Sequence, residues 1–436
     1  MESLKQVKLG ILGMGTVSSG LINIMDLNKT KVHEAIRREL IVTKVLVKNL
    51  DKKRSIDLPT EVYTKDAYEV INGNTDIIVE LIGGLNPAYQ YIKAALKNKK
   101  HVVTANKALI AAHGEELEIL AEENRVKLMY EASVGGGIPI LNTIRDNLSA
   151  NEFESVFGIL NGTTNYILTQ MTENDLDYDQ AVKEAQRLGF AEADPSSDVG
   201  GDDAAYKLSI LSSLAFGQRI NISDIPKEGI TKISKEDIEY AKELGYNIKL
   251  LAAGIKKGNE IELSVHPAFI PASHPLSTVK NEFNAVYLRG NAVGELLLYG
   301  KGAGSLPTGS AVLGDIIHIV KNPYSSAAGC NAGAGADHGK KENNSAVSNK
   351  GFKQYYINME VIDKPGVLGS IASIFGKNNV SLASVVQRQK NGNNTVPLVF
   401  ITHGSERKNI DAALKETKEF EFVTELTSII IVENFK

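Results

Sequence analysis

Over the first 130 residues, short apolar runs alternate with amphipathic stretches. Residues 6–12 (QVKLGIL) predict a buried strand, followed by glycines and a helix from about Thr16. Residues 41–47 are rich in β-branched side chains and predict a second strand, and 76–82 and 101–104 predict a third and a fourth. Amphipathic segments stand at 87–98 and 115–124. Strands alternating with helices predict a parallel sheet built from βαβ units.

The texture changes after Glu131, where Gly135, Gly136, Gly137 and Pro139 interrupt the chain. Strands are expected at 153–159 and 261–270, and helices at 177–188, 201–215, 235–244 and 310–320. This less regular mixture predicts an α+β domain. Residues 325–351 hold Gly, Ala, Ser, Asn and Lys with almost no large apolar side chain, the composition of a flexible linker. Beyond it the order is strand 355–361, helix 368–377, strands 384–388 and 396–402, helix 410–418 and strand 429–432. That is βαββαβ, the ferredoxin-like pattern. The expected fold class is α/β: an N-terminal Rossmann dinucleotide-binding domain (1–133), an α+β domain (134–322), a linker (323–351) and a C-terminal ferredoxin-like domain (352–436).

Charge removes several function classes. The 436 residues carry 48 Lys+Arg and 52 Asp+Glu, for a net charge of −4. Such a chain offers no broad field to nucleic acid or anionic lipid, so neither is an expected partner. A lone cysteine, Cys330, excludes an internal disulfide and a cysteine zinc cluster. No run reaches the ~18 apolar residues of a membrane span. The first apolar run, 7–17, contains Lys8 and glycines and lacks a cleavage pattern, so a cytoplasmic location is expected.

The junction of the first strand and helix carries Gly13, Gly15 and then Ser18 in G-x-G-x-x-G spacing. The first glycine permits a tight turn, and the second lets backbone approach a pyrophosphate. The helix N-terminus at Thr16 and Val17 then offers free N–H groups to the phosphates. After the second strand no acid is positioned for a ribose 2′-hydroxyl. Lys48, Lys52, Lys53 and Arg54 cluster there instead, which favours NADP and leaves NAD open.

Three further segments carry a resemblance over the whole chain. They are TANK at 104–107, GILNGTTN at 158–165 and GFAEADPSSDVGGDDAAYK at 189–207. Together with the glycine turn they resemble the homoserine dehydrogenases. The resemblance implies NAD(P)-dependent interconversion of L-homoserine and L-aspartate 4-semialdehyde, in threonine, methionine and isoleucine biosynthesis. Asp203 and Lys207 are four apart and share a helix face. Alcohol oxidation needs a base and the reverse reduction an acid. By resemblance Lys207 transfers that proton, Asp203 orients it, and Lys107 contacts the reacting group beside the nicotinamide. Glu192 and Asp198 are implied substrate-binding residues, and Gly189 and Gly304 implied cofactor contacts. The segment EASVGGGI at 131–138 is similar to the family's monovalent-cation loop. There the backbone carbonyls of Glu131, Val134, Gly136 and Ile138 are implied to hold sodium.

Asp363-Lys364-Pro365-Gly366-Val367-Leu368 resembles the signature of ACT domains, which implies an amino-acid effector such as L-threonine. A purely dimerising, ligand-free module stays open, as does a non-catalytic amino-acid sensor on a dehydrogenase fold. A homodimer or homotetramer is expected. His266-Pro267 and His274-Pro275 are expected in loops, without metal-ligand spacing.

Overall fold

The computed structural model describes residues 6–322 except 55 and 57, together with 346–347, 351–387 and 394–435. Two compact units emerge. One comprises Met1–Gly162, Asp203–Ile225 and Phe283–Ser345, the other Thr163–Asp202, Pro226–Glu282 and Ala346–Lys436.

The first unit opens with β1 (Gln6–Leu12), α1 (Thr16–Leu27), α2 (Lys29–Ile36), β2 (Glu39–Leu46), β3 (Tyr63–Thr64), α3 (Ala67–Asn72), β4 (Ile77–Glu80), α4 (Ala88–Lys97), β5 (His101–Thr104), α5 (Lys107–Glu123) and β6 (Leu128–Met129). The strands lie in the order β3-β2-β1-β4-β5-β6, and every pairing is parallel. This is the doubly wound dinucleotide-binding order, and its switch point falls between β1 and β4. Central strands of such a sheet are covered on both faces, which is why β4 reads as an unbroken apolar run ending in Glu80. Leu9, Ile11, Val45, Val79 and Val103 form a core with Val312, Leu313 and Ile316 of the late helix Ser305–Lys321. The same unit contains an antiparallel ladder of Phe153–Ile159, Phe283–Gly290 and Gly294–Lys301, and most of helix Asp202–Phe216.

In the second unit, strands Tyr246–Lys257 and Glu260–Pro271 form a long antiparallel hairpin. The βαββαβ pattern is present as strand Gln354–Ile362, helix Val367–Lys377, strands Leu382–Gln387 and Thr395–Thr402, helix Arg407–Thr417 and strand Val423–Val432. Its sheet order is fourth, first, third, second, all antiparallel, as a ferredoxin-like fold requires. Ile357, Met359, Phe375, Phe400, Ile410 and Leu414 fill the space between this sheet and its helices. Ile431 and Val432 of its last strand pair in parallel with Ala268 and Phe269.

Several elements escaped the sequence pattern. Helix Gly162–Glu173 is buried from Thr163 to Met171, so it shows no polar face. Thr169 and Thr172 return their hydroxyls to the carbonyls of Asn165 and Leu168, which removes the helical cost of their polarity. The expectation for His266 is corrected. It sits within strand Glu260–Pro271, only 4% exposed, and not in a loop. His274, by contrast, caps a short 3-10 turn. Most of the expected linker, with Cys330 and the end of the 384–388 strand, lies outside the described residues, although Ala346–Val347 pair with Glu260–Ile261.

Candidate active site

Gly13 leaves β1 with φ of 100°, a left-handed conformation that favours glycine. A Cβ there would meet Ile82 and the Leu81 carbonyl. Its N–H donates to the Leu46 carbonyl, and the buried Ser18 hydroxyl donates back to its carbonyl at 2.6 Å. The third position of the motif is thus met by a small residue that closes the turn itself. Gly15 caps α1 without any side-chain bond, Thr16 is exposed and Val17 is half-buried. Nothing stands within 4 Å of a Cβ placed on Gly15, so the surface in front of the helix end is open.

A second helix end arrives at the same place. Gly304, with φ of 119°, caps helix Ser305–Lys321 without a side-chain bond. Ser305 donates its hydroxyl to the carbonyl of Thr16 at 2.9 Å. A Cβ on Gly20 would collide with the Ser305 carbonyl, and one on Gly309 would lie 2.6 Å from the Leu21 nitrogen. Glycines therefore let the two helices touch, and their N-termini present unpaired N–H groups and two positive dipole ends side by side. Lys48 is exposed just beyond β2. Arg54 is spent locally. Its guanidinium donates to the carbonyls of Asn49, Leu50 and Lys52 and lies 4.8 Å from the centre of the Tyr63 ring.

The second cluster forms at the end of β5. Glu80 is fully buried, and one of its oxygens accepts from the N–H groups of Ile82 and Gly83. The other accepts the Thr104 hydroxyl at 2.6 Å. Thr104 in turn accepts from the Asn106 N–H. Asn106 donates to the Gly84 carbonyl at 2.7 Å and caps α5 by accepting from Leu109. Lys107 is thereby fixed as the first residue of α5, and its ammonium contacts the carboxylate of Asp203.

Asp203 is buried and holds three donors. Besides Lys107, it pairs with the Lys207 ammonium at 2.7 Å and accepts from the Asn161 amide at 2.8 Å. Lys207 Nζ also donates to the Leu160 carbonyl at 2.7 Å. Burial alone would raise the Asp203 carboxyl, but the two ammonium groups overcome it and hold it well below the usual carboxylate range. The side chain of Lys207 is 11% exposed and that of Lys107 is 41% exposed. A bare i,i+4 surface pair would be solvated, whereas this one is enclosed and shared with a third element. Neither Asn161 nor Glu80 carries a signal of its own in the sequence: Asn161 stands inside the GILNGTTN motif and Glu80 inside the predicted strand 76–82.

The 131–138 segment is irregular. Glu131–Ser133 makes one 3-10 turn, and Gly135 and Gly136 take φ of 70° and 54°. The Ile138 carbonyl accepts from Ile140, and that of Glu131 accepts from Val134 at 3.3 Å. The carbonyls of Val134 and Gly136 accept no hydrogen bond among the described residues. Backbone oxygens left open in this way suit a hard monovalent cation. The segment is anchored by Asp315, which accepts from the Glu131 N–H at 2.9 Å and from the Asn142 amide at 3.0 Å. Burial, with the neighbouring Glu131 carboxylate, pushes Asp315 up to about 7.

Glu192, Asp198 and Gly189 belong to the second unit. Glu192 is exposed in a loop, and Asp198 lies in the short helix Ser196–Val199. Gly189, φ 78°, follows the C-terminus of helix Tyr178–Arg187. Among the described residues no His/Cys/Asp/Glu group has the makings of a metal cluster, and no helix is long and apolar enough to cross a membrane.

Comparison with known proteins decides the family. Residues 13–131 match the homoserine dehydrogenase NAD-binding domain, 139–317 the homoserine dehydrogenase domain, and 355–422 the ACT domain. A homoserine dehydrogenase of Bacillus subtilis is 41% identical over 432 residues, covering 99% of both chains. The chain belongs to the homoserine dehydrogenase family. A solved homoserine dehydrogenase from Thiobacillus denitrificans superposes with a TM-score of 0.88 at 37% identity, covering 99% of each chain. A hyperthermophilic archaeal homoserine dehydrogenase solved in complex with NADPH gives a TM-score of 0.61 at 30% identity, covering 73% of this chain and 99% of that one. The relatives named here are homoserine dehydrogenases, which disfavours a non-catalytic sensor.

Proposed function

We propose that the chain interconverts L-homoserine and L-aspartate 4-semialdehyde, with NADP as its preferred nicotinamide cofactor. The observation that carries this reading is the buried carboxylate of Asp203 held between Lys107 and Lys207. A bound nicotinamide cofactor would supply or take up the hydride exchanged at the terminal carbon of the substrate. Lys207 exchanges the proton of the substrate oxygen, as an ammonium acid in reduction and an amine base in oxidation. Asp203, kept ionised, fixes the Lys207 ammonium, and the Leu160 carbonyl fixes its direction. Lys107 places a second positive charge beside the oxygen that gains negative charge on hydride transfer. Glu192 and Asp198 supply carboxylates for the substrate ammonium.

The paired helix ends at Thr16 and Ser305 would hold the pyrophosphate, with Gly13, Gly15, Val17 and Gly304 giving backbone access. Lys48 meets the 2′-phosphate, and the absence of an acid at the end of β2 favours NADP over NAD. The open carbonyls of the 131–138 segment take sodium. The Asp363–Leu368 turn, where Gly366 has φ of 92° before helix Val367–Lys377, takes an amino-acid effector such as L-threonine. The working enzyme is a homodimer or homotetramer.

The test is steady-state kinetics of Lys207→Ala with aspartate semialdehyde and both reduced cofactors. A fall in turnover of about 100- to 10,000-fold is expected, with cofactor affinity nearly unchanged. Retention of more than half of wild-type turnover at saturating substrate overturns the assignment. For the cofactor, Lys48→Asp shifts preference towards NADH, and a wild type that already uses NADH tenfold better refutes the NADP reading.

A further inference from the structure

A cavity of about 270 Å³ lies in the second unit, far along the fold from the Asp363–Leu368 turn. That turn follows the end of strand Gln354–Ile362, whereas Lys353 and Tyr355 line the cavity at its start. One face of the Tyr246–Lys257/Glu260–Pro271 hairpin forms its floor. Glu262, Ser264 and His266 alternate along one strand, with Ala253 and Ile255 opposite. Tyr355, Ile431 and Arg407 come from the ferredoxin-like sheet and its second helix.

The chemistry of this wall is mixed in a particular way. Ala253, Ile255 and Ile431 give it an apolar body. Cations stand at Lys227, Lys353 and Arg407, and acids at Glu228 and Glu262. His266 is 4% exposed, and its Nε2 lies 3.4 Å from the fully enclosed Glu433 carboxylate. Lys353 meets the same carboxylate at 3.1 Å. Burial alone would raise Glu433, but His266 and Lys353 hold it down at about 2. Neither ring nitrogen of His266 makes a hydrogen bond among the described residues; Nε2 has the 3.4 Å contact with Glu433, and Nδ1 has no contact of that kind. A buried polar atom left in this state costs free energy until a partner arrives. With Nε2 turned to Glu433, Nδ1 accepts from an N–H when the ring is neutral and donates to a carboxylate when it is charged.

We infer that this cavity is a binding site for one small α-amino acid with an aliphatic side chain. Its carboxylate faces Lys353 and Arg407, its ammonium faces Glu262 and Glu228, and its side chain lies on Ala253, Ile255 and Ile431. The volume admits a molecule of leucine size. The 226–228 segment pairs with Val265, and the Lys227 ammonium contacts Asp202, the neighbour of Asp203 in the chain.

The test is isothermal titration of the full-length protein with L-leucine, 4-methylpentanoate and 3-methylbutylamine. Leucine is expected to bind once per chain and at least tenfold more tightly than either mono-functional probe. Ser264→Leu fills the floor and is expected to abolish binding, while Ser264→Ala preserves it. Arg407→Gln changes a half-exposed side chain whose one ion pair among the described residues is with Asp411 on its own helix, and is expected to weaken binding at least fivefold. No saturable binding of leucine to the wild type overturns the inference. So does leucine binding that is unchanged in both Ser264→Leu and Arg407→Gln, which would place it elsewhere. Equal binding of a mono-functional probe overturns the amino-acid assignment. None of these readouts depends on dehydrogenase turnover.

Discussion

Ser305 donates its hydroxyl to the backbone carbonyl of Thr16 at 2.9 Å, across 289 positions of sequence. The bond ties the first helix of the nucleotide-binding sheet to a helix that arrives near the end of the same unit. Two uncapped N-termini thus sit together where a pyrophosphate would lie. Neither helix end alone has the positive potential of the pair.

Gly15 and Gly20 separate binding from packing. A methyl group at Gly15 points into open space, at an extended φ of −111°. Gly15→Ala should leave thermal stability within about 0.5 kcal/mol and raise the KM for NADPH about tenfold or more. At Gly20 the methyl group collides with the Ser305 carbonyl. Gly20→Ala should destabilise by about 1–3 kcal/mol through overpacking and weaken the cofactor as a consequence. Melting curves and cofactor titrations on both variants check this, and equal stability loss in the two would refute it.

Glu80 tests whether Lys107 is held in place from behind. Its carboxylate touches no lysine among the described residues, but it organises Thr104, Ile82 and Gly83. Glu80→Ala should cost about 2–4 kcal/mol, since several donors lose a charged acceptor. It should also lower kcat by about tenfold while leaving the NADPH KM nearly unchanged. Glu80→Gln, which keeps an acceptor, should recover most of the activity. A Glu80→Ala enzyme with normal kcat would show that Lys107 needs no such support.

How much of this was legible in the sequence depended on the kind of signal. The strand at 6–12 and the helix from Thr16 were legible because apolar runs and glycines mark a parallel βα unit directly. Lys107, Asp203 and Lys207 were legible only through motifs, because an isolated lysine or an i,i+4 pair carries no trace of burial. Glu80 and Asp315 left no signal at all. Each is an acid inside an apolar stretch, and its partners, such as Thr104 and Asn142, are set by tertiary contact. Helix Gly162–Glu173 was missed because periodicity requires one wet face, and this helix has none. His266 was misread because His-Pro suggests a turn, whereas the hairpin absorbs Pro267 within a strand.

Asp203 should matter to folding as well as turnover. Asp203→Asn leaves the Lys107 and Lys207 ammonium groups facing a neutral amide in an enclosed site. Breaking one partner of a buried ion pair costs about 3–5 kcal/mol. Chemical denaturation should show that loss, and kcat should fall at least 100-fold. The double variant Asp203→Asn/Lys207→Met removes one of the stranded charges and should recover part of the stability but none of the activity. No recovery of stability would mean that the ion pair is not the source of the loss.

Lys249 supplies a pH dependence whose sign can be worked out. It lies on strand Tyr246–Lys257, is 4% exposed, and donates to the Asn165 amide oxygen at 2.9 Å and to the Val279 carbonyl. Burial pushes its ammonium down from 10.5 to about 8, with Lys280 adding to the fall and Glu173 opposing it. Between these two values the unfolded chain binds the proton more tightly than the folded one. Stability therefore rises as pH increases from about 8 to 10.5, and below 8 the full cost of burying the charge is present. The size is of the order of 3 kcal/mol over that window. Other groups titrate in the same range, so the informative quantity is the difference from Lys249→Met. That variant has no charge to bury and strands the same two acceptors at every pH. Urea unfolding of both proteins at pH 7, 8, 9 and 10 should show the wild type gaining on the variant by at least 1 kcal/mol across the series. A constant difference would mean that Lys249 keeps its ordinary affinity for the proton and that its two hydrogen bonds fully replace water.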